Sequence, residues 1–153
     1  MIVLCCLLEV FSMYNRILVA IDGSEKSEKA LKSALQFANE RYSKVGIIHV
    51  KKNITIYETM SSEVVDEMYS EMKKEADELF KRAQILADDY GVEIETHYEI
   101  GEPAILIVKM AEDRNYQLIV MGSRGLGGIK SLMLGSVSQR VSQLSHCPVL
   151  IVK

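Results

Sequence analysis

The 153-residue chain has no tryptophan, only three histidines, three cysteines and two prolines. Aromatic residues are 7% of it, which argues against a platform for stacked bases. A net charge of −3 leaves no polybasic face for nucleic acid and no strong acidic tail. Cys5 and Cys6 are neighbours and Cys147 is far away. That pattern argues against a disulfide framework and suits a reducing cytoplasm. His49, His97 and His146 are scattered, so no metal site built from side chains is expected. Long apolar runs are also missing. The opening MIVLCCLLEVF is about eleven residues, whereas a membrane-spanning helix takes about 20. No membrane partner is expected. Residues 1–12 are expected to be an appendage outside the fold, with a single domain over 13–153.

What is present is a core. The chain is 48% apolar and 25% charged, enough to bury an interior and remain solvated. Segments 16–21, 45–50 and 118–121 are nearly continuous apolar runs, as expected of buried strands, and 149–152 is a further apolar strand, expected at a sheet edge. Segment 92–100 alternates apolar with polar residues and reads as a half-buried edge strand. Between them lie helical patterns. One covers about 25–41 behind Ser24, with Ala30, Leu31, Ala34, Leu35 and Ala38 on one face. A second covers about 62–90, where Val65, Met68, Met72, Ala76, Leu79, Ala83, Leu86 and Tyr90 recur at spacings of three and four. A third opens at Pro103. A fourth spans about 136–145. The polar stretch 51–60 is expected to be a mobile loop. This alternation predicts a single-domain α/β fold, a parallel sheet with helices on both faces. In such sheets ligands bind beyond the carboxyl ends of the strands, where the strand order reverses.

Two of those strand ends are chemically distinctive. One is Asp22-Gly23-Ser24. The other is GSRGLGGIKSLMLGS, residues 122–136, with five glycines, two cations and three serines. Amides at a glycine turn and at a helix N-terminus both favour an anion. Gly122 and Gly125 would let main chain approach a phosphate without a Cβ. Gly135 and Ser136 open the last helix, whose end carries roughly half a positive charge. The hydroxyl of Ser136 can donate, and Arg124 and Lys130 add charge. A polyphosphate is the natural guest. A strand-to-helix connection shaped by sterics alone is the competing reading. Two nucleotide fingerprints fail. After Gly122, Gly128 stands where the Walker pattern needs lysine, and Lys130 stands where the dinucleotide pattern needs its last glycine.

The spacing Gly122-x2-Gly125-x9-Gly135-Ser136 resembles the G-x2-G-x9-G-[ST] signature of the universal stress protein family, in its ATP-binding branch. The likeness extends from about Tyr14 to Lys153. It is carried also by RILVAIDGS at 16–24, IVMGSRG at 119–125, LGSVS at 134–138 and CPVLIV at 147–152. The resemblance implies five parallel strands in the order 3-2-1-4-5, a Rossmann-like arrangement of the adenine nucleotide alpha hydrolase type. It implies ATP lying across the ends of the first and fourth strands. By that match Asp22 would bond the ribose or adenine end, and ribose is the better partner because a carboxylate repels phosphate. Ala20 and Val50 would line the adenine pocket, Val50 through its main chain, and Met121 would pack near the nucleotide. Gly122, Gly125, Gly135, Ser136 and Val137 would hold phosphates, largely by amides. Ser123, Arg124 and Lys130 belong to the same stretch. Read without the family, Asp22 is a turn or cap residue, and Met121 and Val50 are core.

No convincing general base accompanies the glycine stretch, so no catalytic residue is assigned. The expected role is a cytoplasmic regulatory switch in stress response that binds ATP, with slow or no hydrolysis and an unidentified protein partner. Mg or Mn would be held through the phosphates. A slow ATPase or phosphotransferase and a nucleotide-free dimerisation module are the alternatives. The resemblance further implies a homodimer through the last strand, 149–152.

Overall fold

The computed structural model describes residues 14–126 and 134–153. The appendage expected at 1–12, and Lys130, lie outside the described residues. Nine elements alternate along the chain: β1 (Arg16–Ala20), α1 (Glu25–Arg41), β2 (Lys44–Lys51), α2 (Ser62–Asp89), β3 (Ile94–Ile100), α3 (Pro103–Asp113), β4 (Leu118–Gly122), α4 (Ser136–Leu144) and β5 (Val149–Val152). The five strands form one parallel sheet in the order β3-β2-β1-β4-β5, the order expected.

Period-two alternation divides the interior. Ile17, Val19 and Ile21 face α1 and α2, where Leu31, Leu35, Ala83 and Ala87 meet them. Leu18 and Ala20 face α3 and α4, against Ile107, Ala111 and Val141. The register sets Ala20 between Ile48 on β2 and Met121 on β4. Helix α1 starts where Ser24, in extended conformation, accepts the Ser27 amide at 3.2 Å. Pro103 occupies the first turn of α3, where its missing N–H costs nothing.

Two strand boundaries and one burial pattern differ from the sequence expectation. Strand β1 stops at Ala20, because the Ile21 carbonyl leaves the ladder for a side chain described below. Strand β3 starts at Ile94, because the Val92 amide turns back to the Ala87 carbonyl at 3.0 Å and closes α2. In α2, Ala76, Ala83 and Ala87 are buried, while Val65, Met68 and Met72 are half-buried and outside the core cluster. Alanines give this helix its close approach. Its longer side chains in the first three turns lie beyond the cluster.

The outer end of the sheet holds a polar group around Tyr116. Its hydroxyl donates to Glu95 at 2.8 Å and stands 3.3 Å from His97 Nε2. Arg16 lies 5.0 Å above the ring and bonds Glu95 at 3.1 Å. Burial pushes the phenol well above its ordinary value. The Tyr116 hydrogen bond lowers the Glu95 carboxyl, and burial lowers the His97 imidazole. Both folded-state values lie below the unfolded ones, so the unfolded chain binds more protons as pH falls. Stability is therefore full above the ordinary histidine value of 6.5 and declines on acidification through the lowered histidine and then the lowered carboxylate. Urea midpoints measured across pH should show that first decline in the native chain and a smaller one in His97→Gln. An identical pH profile for the variant would refute the assignment.

Candidate functional site

The first wall of the site is the β1–α1 turn. The Ile21 amide donates to the Ile48 carbonyl at 3.0 Å, and the Ile21 carbonyl lies 2.8 Å from His49 Nδ1. A carbonyl only accepts, so Nδ1 carries the hydrogen. The Asp22 amide donates to Ser27 Oγ at 3.3 Å, and that hydroxyl donates to the Ser24 carbonyl at 2.9 Å. The Asp22 carboxylate accepts the Ser24 amide on Oδ1 at 3.0 Å and the Leu126 amide on Oδ2 at 3.1 Å. One carboxylate therefore ties its own turn to the loop after β4, 104 residues away.

The second wall begins at the end of β4. Ser123 donates its amide to the Val152 carbonyl at 2.7 Å, and its carbonyl accepts the Gly135 amide at 2.8 Å. Ser138 Oγ bonds the same Ser123 carbonyl at 3.0 Å. Gly135 is the N-cap of α4 and carries no capping side chain. The first-turn amides, from Ser136 onward, have no intrahelical acceptor and are open to a ligand. Gly122 is required by the chain itself. A Cβ there would stand 2.8 Å from the Lys26 carbonyl carbon and 2.9 Å from the Ser27 nitrogen. The bare backbone that the sequence suggested for a phosphate is already needed where β4 meets α1.

Between the walls opens a cavity of about 780 Å³. Ten of the sequence-derived residues line it: Ala20, Asp22, Val50, Met121, Gly122, Arg124, Gly125, Gly135, Ser136 and Val137. Ser123 does not; its side chain is buried, and it serves the second wall by its main chain. The lining also includes residues that sequence reasoning did not assign to a site: Ser27, His49, Lys51, Lys52, Ile54, Met72 and Ile107. The two lysines could have been suspected, because they end a strand at its ligand-binding end. His49 could have been suspected as the polar residue within an apolar run. Lys51 Nζ bonds Glu75 Oε2 at 2.5 Å, which holds the Glu75 carboxyl below its ordinary value. Asp22 is the only carboxylate among the described lining residues. Among the described residues no three His, Cys, Asp or Glu gather as a metal site, and no helix is long and apolar enough to cross a membrane.

A parallel sheet reversing its order between β1 and β4, with an open crevice at that point beside helix amides, defines a doubly wound α/β fold. Residues 13–153 match the model of the universal stress protein family. The chain belongs to that family. It is 44% identical over 148 residues to universal stress protein YxiE of Bacillus subtilis, covering 92% of this chain and 100% of the relative. Among solved structures, hypothetical protein MJ0577 superposes with a TM-score of 0.82 at 33% identity, over 92% of this chain and 96% of that one. A universal stress protein in complex with cAMP superposes at 0.73 and 28% identity, over 93% and 99%. One from Archaeoglobus fulgidus in complex with dAMP superposes at 0.65 and 26% identity, over 92% and 99%.

Proposed function

We propose that this universal stress protein binds ATP in the crevice between β1 and β4 and acts as a cytoplasmic regulatory switch in stress response, with slow or no hydrolysis. The observation that carries the reading is convergence. Residues from β1, β2, β4, the loop after β4 and the start of α4 line one cavity, and the four fixed residues of the G-x2-G-x9-G-[ST] signature, Gly122, Gly125, Gly135 and Ser136, are among them. Two structural neighbours were solved with adenine nucleotides, cAMP and dAMP, which supports the same ligand class here.

The chemistry fits a nucleoside polyphosphate. About 780 Å³ lies within the roughly 300–1,000 Å³ of small-molecule sites. Ala20, Val50, Ile107 and Met121 supply apolar lining for a purine. The open amides at Ser136 and Val137 suit phosphate oxygens, and the Ser136 hydroxyl and Arg124 add donors. Each Asp22 oxygen accepts one amide and keeps a lone pair for a ribose hydroxyl. A divalent ion, Mg or Mn, would be held through the phosphates and would neutralise their charge. No catalytic base is assigned in this proposal: Asp22 is turned to the ribose, and His49 donates its Nδ1–H to the Ile21 carbonyl. Contact with Arg124, Lys52 and Ile54 would couple nucleotide to the surface a protein partner reads. The functional domain is 13–153 in this proposal.

The test is to denature freshly purified protein and identify what is released. Near-stoichiometric adenine nucleotide, retained unhydrolysed when labelled ATP is added to emptied protein, is the expected result. Emptied protein that gives no calorimetric heat with ATP would sink the reading. Assembly follows from the edge. β5 ends the sheet and leaves Leu150 45% exposed, an apolar edge that invites pairing. A homodimer through Val149–Val152 is proposed, and a monomer by light scattering at micromolar concentration would contradict it.

A further inference from the structure

One peptide group in the site is held from both sides. β1 ends at Ala20, so the peptide joining Ile21 to Asp22 projects past the ladder on the way to the carboxylate. Its carbonyl accepts His49 Nδ1 at 2.8 Å, from β2. Its N–H donates to Ser27 Oγ at 3.3 Å, from the first turn of α1. Both holders are buried: His49 is 5% exposed and Ser27 is 4% exposed. Each is itself fixed. The His49 ring stacks on Tyr98 with centroids 6.1 Å apart and meets Phe80 edge-on at 6.5 Å. Ser27 is locked to Ser24 by two bonds, its amide to Ser24 Oγ at 3.2 Å and its hydroxyl to the Ser24 carbonyl at 2.9 Å.

A peptide plane held at both ends fixes where the next Cα stands, and so the point from which its side chain departs. That side chain is the Asp22 carboxylate. Burying a histidine to donate one hydrogen bond to a main-chain carbonyl is costly unless the bond does something a leucine could not. We propose that His49 and Ser27 are positioning residues that aim Asp22, and that through Asp22 they set the preference of the site for a ribose over a 2′-deoxyribose. This rests on the proposal that the site holds an adenine nucleotide. It adds which residues read the sugar and how. Phe80 lies on α2 and Tyr98 on β3, so the packing of those elements reaches the sugar position through His49.

Calorimetric affinities for ATP and for dATP test it. Their ratio is the readout, because a general loosening of the fold weakens both nucleotides together. A charge-assisted bond to one hydroxyl gives the native protein a preference for ATP of about tenfold or more. His49→Leu removes the donor at similar bulk and should reduce the preference to about twofold, with dATP affinity changing by less than about threefold. His49→Asn puts an amide nitrogen near the Nδ1 position and should restore most of the preference. Ser27→Ala, a smaller change that leaves the ring in place, should lower it in the same direction. A ratio in His49→Leu and Ser27→Ala equal to the native one would overturn the proposal. So would equal loss of both nucleotides, or native protein that binds ATP and dATP alike, although nucleotide binding itself would then stand. Native protein that binds neither would instead fail the function proposed above.

Discussion

Gly46→Ala is expected to destabilise the protein by about 2–6 kcal/mol, a large share of the roughly 5–15 kcal/mol of a small domain. Gly46 sits in β2, between β1 and β3. A Cβ built on it would lie 1.9 Å from the Tyr116 hydroxyl oxygen, 2.5 Å from Cζ and 2.9 Å from Cε1. The ring cannot yield cheaply. It is 1% exposed, and its hydroxyl is bonded to Glu95. Moving it costs overpacking strain of about 1–3 kcal/mol, and losing the buried hydrogen bond costs about 1–3 kcal/mol more. For a chain of this length the melting temperature should fall by roughly 5–20 °C. Denaturant titration of Gly46→Ala, Tyr116→Leu and the double variant separates the cause. If the clash is responsible, the double variant is more stable than the sum of the two losses predicts. A native-like midpoint for Gly46→Ala would show that the ring moves freely and would refute the packing described for this end of the sheet.

Gly125→Ala should do the opposite, sparing the fold and damaging the site. Gly125 is exposed, and its φ lies outside the left-handed region that only Gly23, Gly91 and Gly101 occupy among the described glycines. Alanine is therefore free of backbone strain there. Its Cβ, however, would stand 2.3 Å from Asp22 Oδ2. The carboxylate must swing away, releasing the Leu126 amide and leaving the direction from which it would meet a ribose. Stability without ligand should change by less than about 1 kcal/mol, as for most surface substitutions. ATP affinity should fall about 10- to 100-fold, the worth of one or two charge-assisted hydrogen bonds. Calorimetry with ATP, beside a melting curve of the emptied variant, reads both. Unchanged affinity would mean that Asp22 does not touch the nucleotide.

Those two glycines show how unevenly the molecule could be read from its residues. Helix α1 was legible to the residue, because a capping serine and an alanine–leucine face are local signals. The alternation of apolar runs and helical patterns was enough for the sheet order once a family likeness was recognised. The glycine stretch was located, yet two of its glycines serve contacts that no spacing displays. Gly122 makes room for the main chain of Lys26, and Gly125 makes room for the carboxylate of Asp22. Gly46 raised no question at all, because its obstacle is a ring 70 residues on that reaches it only in the folded sheet. The shared contact of Ser27 and His49 was hidden for the same reason. A serine in a first helical turn and a histidine in a strand look ordinary until the peptide between them is seen to need both. Long-range partners are set by topology and register, and local periodicity does not record them.

The bond between the Asp22 carboxylate and the Leu126 amide has an evolutionary corollary. Two loops that are distant in the chain share this fastener. Lengthening either one shifts the anchor point of the other, so neither can drift alone. Descendants that swap this acid for a neutral residue should carry compensating changes near position 126, and lineages that keep it should tolerate little beyond a bare Cα at 125.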